Sequence, residues 1–487
     1  MNVVCDYFLT PLAPVWFIVL SALLIIGVEC FPKASPKIKP LIALSGILLS
    51  IASTLWIWNH WPIAFANTSG VEQVWILEFA KFYKLDTTTL GYFFGLGLFA
   101  LLSVVFIDPY FKKGLLRGEV LILTLFIVSG MMLLVSANNL LMIFTALELL
   151  SLPTYVLVGI RRHDKQSAEA ALKYFLFGSF ASVLFILAIA LLYMQFNTFQ
   201  IPLIAEGIQK LANPTVPTVI ASIILFLVAI AFKVGIVPFH MWLPDVYQGA
   251  PTPITGFMGS SIKLAGFVLA IKIFGEMFVV YLGYLGKILD VLAVLTMFVG
   301  NIAALLQTNL KRMFAYSSIS HAGYLLLAVS LLGQNSSSSA IYYYLMVYGI
   351  MFLGLFAMLT FIEEKTKSTH IQELSGLGFT YPMFSICLTI FAISAAGIPP
   401  TAGFLAKYLI FLNAVSMGKT FVVVLAVISS LIGVFYYLKV LVYLYMKEPT
   451  RAVAVVVPNR LAFAGVVFCA FCLIYFMLFP SRLGVYF

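Results

Sequence analysis

Apolar residues fill this chain in blocks of roughly 17–25 positions separated by short polar connections, the length a helix needs to cross a bilayer. The blocks lack the period-two alternation of a membrane barrel. Their density predicts an all-α integral membrane protein of about fourteen transmembrane helices. Two blocks, over residues 218–248 and 382–416, are too long for one straight crossing. Each carries a similar interruption, Gly235-Ile-Val-Pro238 in the first and Gly397-Ile-Pro-Pro400 in the second, where glycine and proline loosen a helix. Irregular backbone at membrane depth is tolerated only when buried in protein or lining water. The two blocks therefore predict discontinuous helices, and their comparable places in the two halves predict an inverted-repeat transporter.

Composition narrows the class. With 63% hydrophobic and 9% charged residues among 487, the chain has too little polar surface for a water-soluble globule, and no separate soluble domain remains. A net charge of +10 would suggest nucleic acid in a soluble protein; here position matters more, and no nucleic-acid partner is expected. Sixteen of the 28 basic residues fall in alternate connections, from Lys33, Lys37 and Lys39 to Lys447, Arg451 and Arg460. Seven fall in the opposite connections, Lys419 among them, and five lie inside spans. The positive-inside rule makes the richer side cytoplasmic and places both termini outside. The start, MNVVCDYFLTPLAP, lacks a basic signal region, so the first apolar block should remain as a span. Cys5, Cys30, Cys387, Cys469 and Cys472 are too scattered for a disulfide framework or an iron–sulfur site, and the Cys469-x-x-Cys472 pair reads as apolar filler. No glycine-rich nucleotide fingerprint and no metal-spaced His/Cys cluster is visible, so no redox cofactor is expected in this chain.

The charges inside spans carry the chemistry. Lys233 and Lys263 lie within residues 229–267, AIAFKVGIVPFHMWLPDVYQGAPTPITGFMGSSIKLAGF, and Lys407 follows the second break. A charge at the bilayer centre costs about 2.5–3.5 kcal/mol, so such residues face a polar cavity or a partner. Glu148, about ten residues from either end of NLLMIFTALELLSLPTYVLVG, needs a proton or a counter-charge. A protonated, purely structural glutamate is one reading; an ion pair with Lys233 is the other. His240, seven residues after Lys233, falls on the same helical face if the helix resumes after the break, and His321 lies in another span. Histidine can relay protons near neutral pH, although a buried neutral ring bonded to a serine is the commoner case. Lys173 and Lys439 lie near enough to cytoplasmic span ends to snorkel, and Glu29 and Asp290 near enough to reach the interface.

The strings PFHMWLPDVYQGAPTPITGFMGSSIKLAGF, NLKRMFAYSSISHAGY and GIPPTAGFLAKY resemble the subunit N family of proton-pumping NADH:quinone oxidoreductase, the bacterial relative of mitochondrial complex I subunit 2, over residues 138–437. The resemblance implies an antiporter-like membrane-arm subunit with two inverted five-helix repeats and discontinuous seventh and twelfth helices. It divides the chain into three first spans over residues 1–117, repeats over 118–280 and 281–447, and a last span over 448–487. The family's fifth-helix glutamate matches Glu148, its seventh-helix lysine Lys233, its eighth-helix lysine Lys263 and its twelfth-helix lysine Lys407. Sister subunits L and M typically carry a histidine-bearing run where this chain has GSSIKLAGF, and M usually has glutamate at the place of Lys407.

The expected activity is that of a translocase subunit in a bacterial cytoplasmic (inner) membrane. Glu148 and Lys233 form a switchable pair, Lys263 holds the central proton and Lys407 passes it on, with His240 and His321 as further relay candidates. Burial disfavours a lysine's charge and a nearby carboxylate favours it, so making or breaking the pair would change proton affinity along the row. NADH, FMN, iron–sulfur clusters and quinone would belong to partner subunits of complex I, among them a neighbouring antiporter-like subunit and the small subunits beside it. The rival reading is a stand-alone Na⁺(K⁺)/H⁺ antiporter.

Overall fold

The apolar blocks fold into helices. The computed structural model describes residues 11–31, 37–66, 79–111, 117–211, 216–333, 337–448 and 459–484; Cys5, Lys33, Lys112, Lys113 and Arg451 lie outside them. Among the described residues, extended backbone pairs only at three isolated bridges. Among the described residues, eleven helices are long and apolar enough to cross a membrane, and Ala13–Glu29, Pro382–Ala396 and Ala402–Ser416 are shorter apolar helices. The chain is a multi-pass membrane protein.

Two compact units divide it, residues 1–157 with 178–229, and residues 158–177 with 230–487. In the first, α1 (Ala13–Glu29) packs on α2 (Ile38–Ala66) and α4 (Arg117–Ser136), and α3 (Thr87–Phe111) packs on α2 and α4. α5 (Leu140–Val158) comes close to α4 because Gly130 has no side chain: a Cβ there would sit 2.9 Å from the Leu150 nitrogen. α6 (Lys165–Phe196), α7 (Ile201–Gln209) and α8 (Pro217–Val234) follow. The start of α5 is fixed by a short ladder, in which Leu140 N–H donates to the Phe199 carbonyl at 2.9 Å and Ile201 N–H to Asn138 at 3.2 Å. The Asn139 side chain accepts from Leu141 N–H at 2.9 Å, satisfying one of the donors a helix start leaves open.

The second unit contains α9 (Trp242–Gly249), α10 (Thr252–Met277), α11 (Leu282–Leu305), α12 (Leu310–Val329) and α13 (Ser337–Thr366). It continues with α14 (Pro382–Ala396), α15 (Ala402–Ser416), α16 (Thr420–Met446) and α17 (Arg460–Leu478). α13 is its axis, buried along its whole apolar length and packed by α10, α12, α14, α15 and α17. α11 and α12 meet through glycines: a Cβ on Gly300 would lie 2.6 Å from the Ser320 nitrogen, and one on Gly323 2.7 Å from Met297 Cγ. The start of α12 is fixed as that of α5 is. Leu310 N–H donates to Thr369 at 2.8 Å, Ile371 N–H to Thr308 at 2.9 Å, and Asn309 Oδ1 accepts from Lys311 and Arg312.

Both long blocks are interrupted where the sequence places the break, and glycine ends the helix in each. Gly235 has φ +79° and Gly397 φ +77°, left-handed backbone that glycine adopts without a Cβ penalty. Ile236 N–H reaches back to the Ala231 carbonyl at 2.8 Å and Ile398 N–H to Ile393 at 3.2 Å, the Schellman closure of a helix C-terminus. Pro244 takes no part in the break; it sits in the first turn of α9, where a missing N–H costs nothing. α10 contains π segments over Met258–Ile262 and Ile271–Met277, and Lys263 is the first residue after the first of them. π turns of this kind are frequent at functional sites.

Candidate functional site

The lysines read from the sequence line up through the second unit. Lys233, in the last turn of α8, and Lys263 both line a small cavity of about 10 Å³, shared with Tyr174, Trp242 and Tyr247. A space of about that size holds one water. Lys263 is 4% exposed, and its Nζ donates to the Ser318 carbonyl and, at 2.6 Å, to the Ser318 hydroxyl. Tyr348 donates its hydroxyl to the same Ser318 oxygen at 2.9 Å and turns its ring face to the ammonium, 5.1 Å from Nζ to centroid. Hydrogen bonds and a cation–π contact thus take the place of hydration around a buried cation.

One turn along α12, His321 is 4% exposed and its Nδ1 lies 2.7 Å from the Tyr344 hydroxyl. It stands within electrostatic reach of both Lys263 and Lys407, near the Ala395 carbonyl. Lys407, 6% exposed, approaches that carbonyl at 3.4 Å, donates to Ala396 at 2.9 Å and to the Ser430 hydroxyl at 3.1 Å, and lies 5.0 Å from the Tyr324 ring centroid. Its ammonium therefore sits on the carbonyl end of the broken helix α14, where the helix dipole favours a cation. At the other break the equivalent service comes from a neutral donor: Trp242 Nε1–H bonds the Phe232 carbonyl at 3.1 Å. Beyond Lys407, Asn301 joins Tyr324, Ser429 and Tyr436.

Other expectations change. His240 does not share a helical face with Lys233, because the helix resumes only at Trp242; its Nδ1 is enclosed without a hydrogen-bond partner among the described residues. Lys173 pairs with Asp245 and Glu169, each at 2.7 Å, and Arg312 holds the other Asp245 oxygen at 2.7 Å. Lys311, counted as a loop charge, is buried at the start of α12 and donates to the Ala250 carbonyl at 2.6 Å. Asp290 is buried against Lys419. Glu148 belongs to the first unit, where its Oε1 accepts from the Ser182 hydroxyl at 2.5 Å. Cys469 and Cys472 are buried in α17. No group of three or more His, Cys, Asp or Glu among the described residues could hold a metal.

Sequence reasoning missed Ser318, Tyr344, Tyr348, Tyr324 and Ser430. Their signal was hydroxyls at helical spacing inside apolar spans: Ser317, Ser318, His321 and Tyr324 on α12, Tyr344 and Tyr348 on α13.

A helical membrane protein with two interrupted helices and a row of buried lysines between them is the class these features define. The chain belongs to the family described as NADH:quinone oxidoreductase/Mrp antiporter, whose model matches residues 137–433. It is similar to NADH-quinone oxidoreductase subunit N 1 of Chloroherpeton thalassium, 37% identical over 472 residues covering 96% of this chain and 94% of that protein. It is also similar to subunit N 1 of Thermodesulfovibrio yellowstonii, 42% identical over 352 residues covering 72% and 75%. Among solved structures, a chain of respiratory complex I from Thermus thermophilus with bound aureothin superposes with TM-score 0.79 at 30% identity, covering 96% and 97%. A chain of the Mrp complex from Dietzia reaches TM-score 0.83 at 20% identity, covering 98% and 96%, a likeness of fold alone.

Proposed function

We propose that this chain is the subunit N of a proton-pumping NADH:quinone oxidoreductase, a membrane-arm subunit that moves H⁺ through its buried lysines while electrons pass through partner subunits. The observation that carries the proposal is the row of buried polar groups in the second unit: Lys263 on Ser318 and Tyr348, the His321 ring 5.1 Å from that of Tyr348 and bonded to Tyr344, and Lys407 on the Ala396 carbonyl and Ser430. The lysine, histidine, serine and tyrosine side chains can hold or pass a proton, and apolar packing surrounds them.

Fourteen crossings follow if the eleven long helices are joined by α1, by α12, and by α14 with α15 as one interrupted span. Two five-helix repeats are supported by the ladders at α5 and α12, since one 170-residue interval separates Asn139 from Asn309 and Gln200 from His370. An odd number of crossings per repeat inverts the second relative to the membrane. The same interval takes Glu148 to Ser318, so the acid of one repeat corresponds to the lysine acceptor of the other. Pairing of Glu148 with Lys233, a bacterial inner-membrane location and external termini belong to this proposal.

The test is purification and reconstitution. The chain should arrive in a complex oxidising NADH with quinone, and alone in liposomes should exchange no H⁺ for Na⁺ or K⁺. Cation-dependent proton exchange by the isolated chain would replace this reading with the antiporter.

A further inference from the structure

A second charged cluster lies in the same unit, apart from the lysine row. Asp290, nine residues into α11, is 9% exposed, and two donors converge on its carboxylate. The Ser330 hydroxyl donates to Oδ1 at 2.5 Å, and Lys419 Nζ lies 3.0 Å from Oδ1 and 2.9 Å from Oδ2. Lys419 also donates to the Ser330 carbonyl at 3.2 Å. Ser330 caps the C-terminus of α12 and Lys419 the N-terminus of α16, so two helices end at this level while α11 continues to Leu282. The pair stands where these two helix ends meet α11.

Its position relative to Lys407 is set by helix geometry. Asn301, which bonds the Tyr324 whose ring faces Lys407, and Ser430, which accepts from Lys407, lie eleven residues from Asp290 on α11 and from Lys419 at the start of α16 respectively. At 1.5 Å per residue both intervals are about 16 Å. Between the two levels α11 presents Thr296 and the flexible Met297, whose Cγ faces Gly323 of α12. Three helices thus connect the terminal lysine of the row to one carboxylate, and Lys419 lies in the connections of the basic-poor side, the outer one by loop charge.

We infer that Asp290, held by Lys419 and Ser330, is the group that takes the proton from Lys407 and releases it at the outer end of this unit. The inference rests on the proton-relay reading above. In the step, the Lys407 ammonium loses one proton through intervening water and becomes neutral. The Asp290 carboxylate gains that proton and becomes neutral, which loosens its pair with Lys419. Asp290 then gives the proton to outside water, and the pair with Lys419 re-forms, charge balanced throughout. A buried ion pair is a suitable gate, because neutralising one member removes most of what holds it shut. The competing role is a strut tying α11 to α16.

The intact complex in sealed inverted membranes separates the two, with NADH oxidation and proton uptake read together and assembly checked on native gels. Asp290→Asn should assemble yet pump at least fivefold less, Asp290→Glu should keep more than half of the pumping, and the neutral pair Asp290→Asn/Lys419→Gln should do no better than Asp290→Asn. A strut is restored by the neutral pair, so near-normal pumping by that double variant, or by Asp290→Asn alone, overturns the inference. If Asp290→Asn does not assemble, infrared difference spectra decide: the carbonyl band of a protonated carboxyl during turnover should shift between wild type and Asp290→Glu, and an unshifted band overturns it. Lys407→Arg in the same membranes isolates the underlying reading. Normal pumping there defeats the relay itself, whereas lost pumping there with normal pumping in Asp290→Asn defeats only the role of Asp290.

Discussion

A single serine bears most of the polar contact around Lys263. Ser318 offers it both carbonyl and hydroxyl, and the hydroxyl is itself held by Tyr348. Removing a partner from a buried charge-assisted bond costs about 1.5–3 kcal/mol, which falls on whichever protonation state used it. Ser318→Ala is therefore expected to slow coupled turnover severalfold with assembly intact. Tyr348→Phe, which keeps the ring over the ammonium, should cost less, and turnover in membranes distinguishes the two. Equal losses would place the weight on the ring. For the proposed pair, loss of either charge alone leaves the other uncompensated at a cost of about 3–5 kcal/mol. A double-mutant cycle on Glu148→Gln and Lys233→Ala should show coupling, and strictly additive losses would mean the two never interact. At this scale the sequence revealed the lysines and Glu148, because a charge in an apolar run is conspicuous and expensive. It concealed Ser318, Tyr344 and Asp290. Their partners sit on other helices, and distance from a span end does not tell which neighbours stop at the same depth.

Each interrupted helix depends on one left-handed glycine. A Cβ at Gly397 would meet the Lys407 side chain at 3.0 Å, and one at Gly235 would meet Leu243 Cδ1 at 2.6 Å. A non-glycine residue in left-handed backbone costs about 1–2 kcal/mol before any clash. Both Gly→Ala variants should lower thermal stability, measured by unfolding in detergent. Gly397→Ala should depress pumping further, because it displaces Lys407 from the α14 carbonyls it caps. Equal pumping losses in the two would show that Lys407 tolerates displacement. Both breaks were legible as Gly-x-x-Pro in over-long apolar blocks. The length of the first was not, which is why His240 appeared to share a face with Lys233. Nor were the π turns of α10 visible, since they leave no residue pattern of their own.

Across the whole chain, the orientation proposed from loop charge can be checked directly. A reporter fused after Phe487 should be active outside, and one within residues 161–165 inside; the reverse would invert the direction of every proton step. The multi-pass class was legible because lipid dictates length and composition so strictly. The measurement that bears most directly on proton carriage is the number of protons taken up per NADH oxidised by the complex carrying Lys263→Arg. Arginine keeps the charge near Ser318 and Tyr348 but stays protonated in proteins, with a pKa above about 12. If Lys263 gives up its proton in each cycle, an assembled Lys263→Arg complex should lose most proton uptake, and coupled turnover with it. Uptake per NADH equal to wild type would contradict a relay through Lys263.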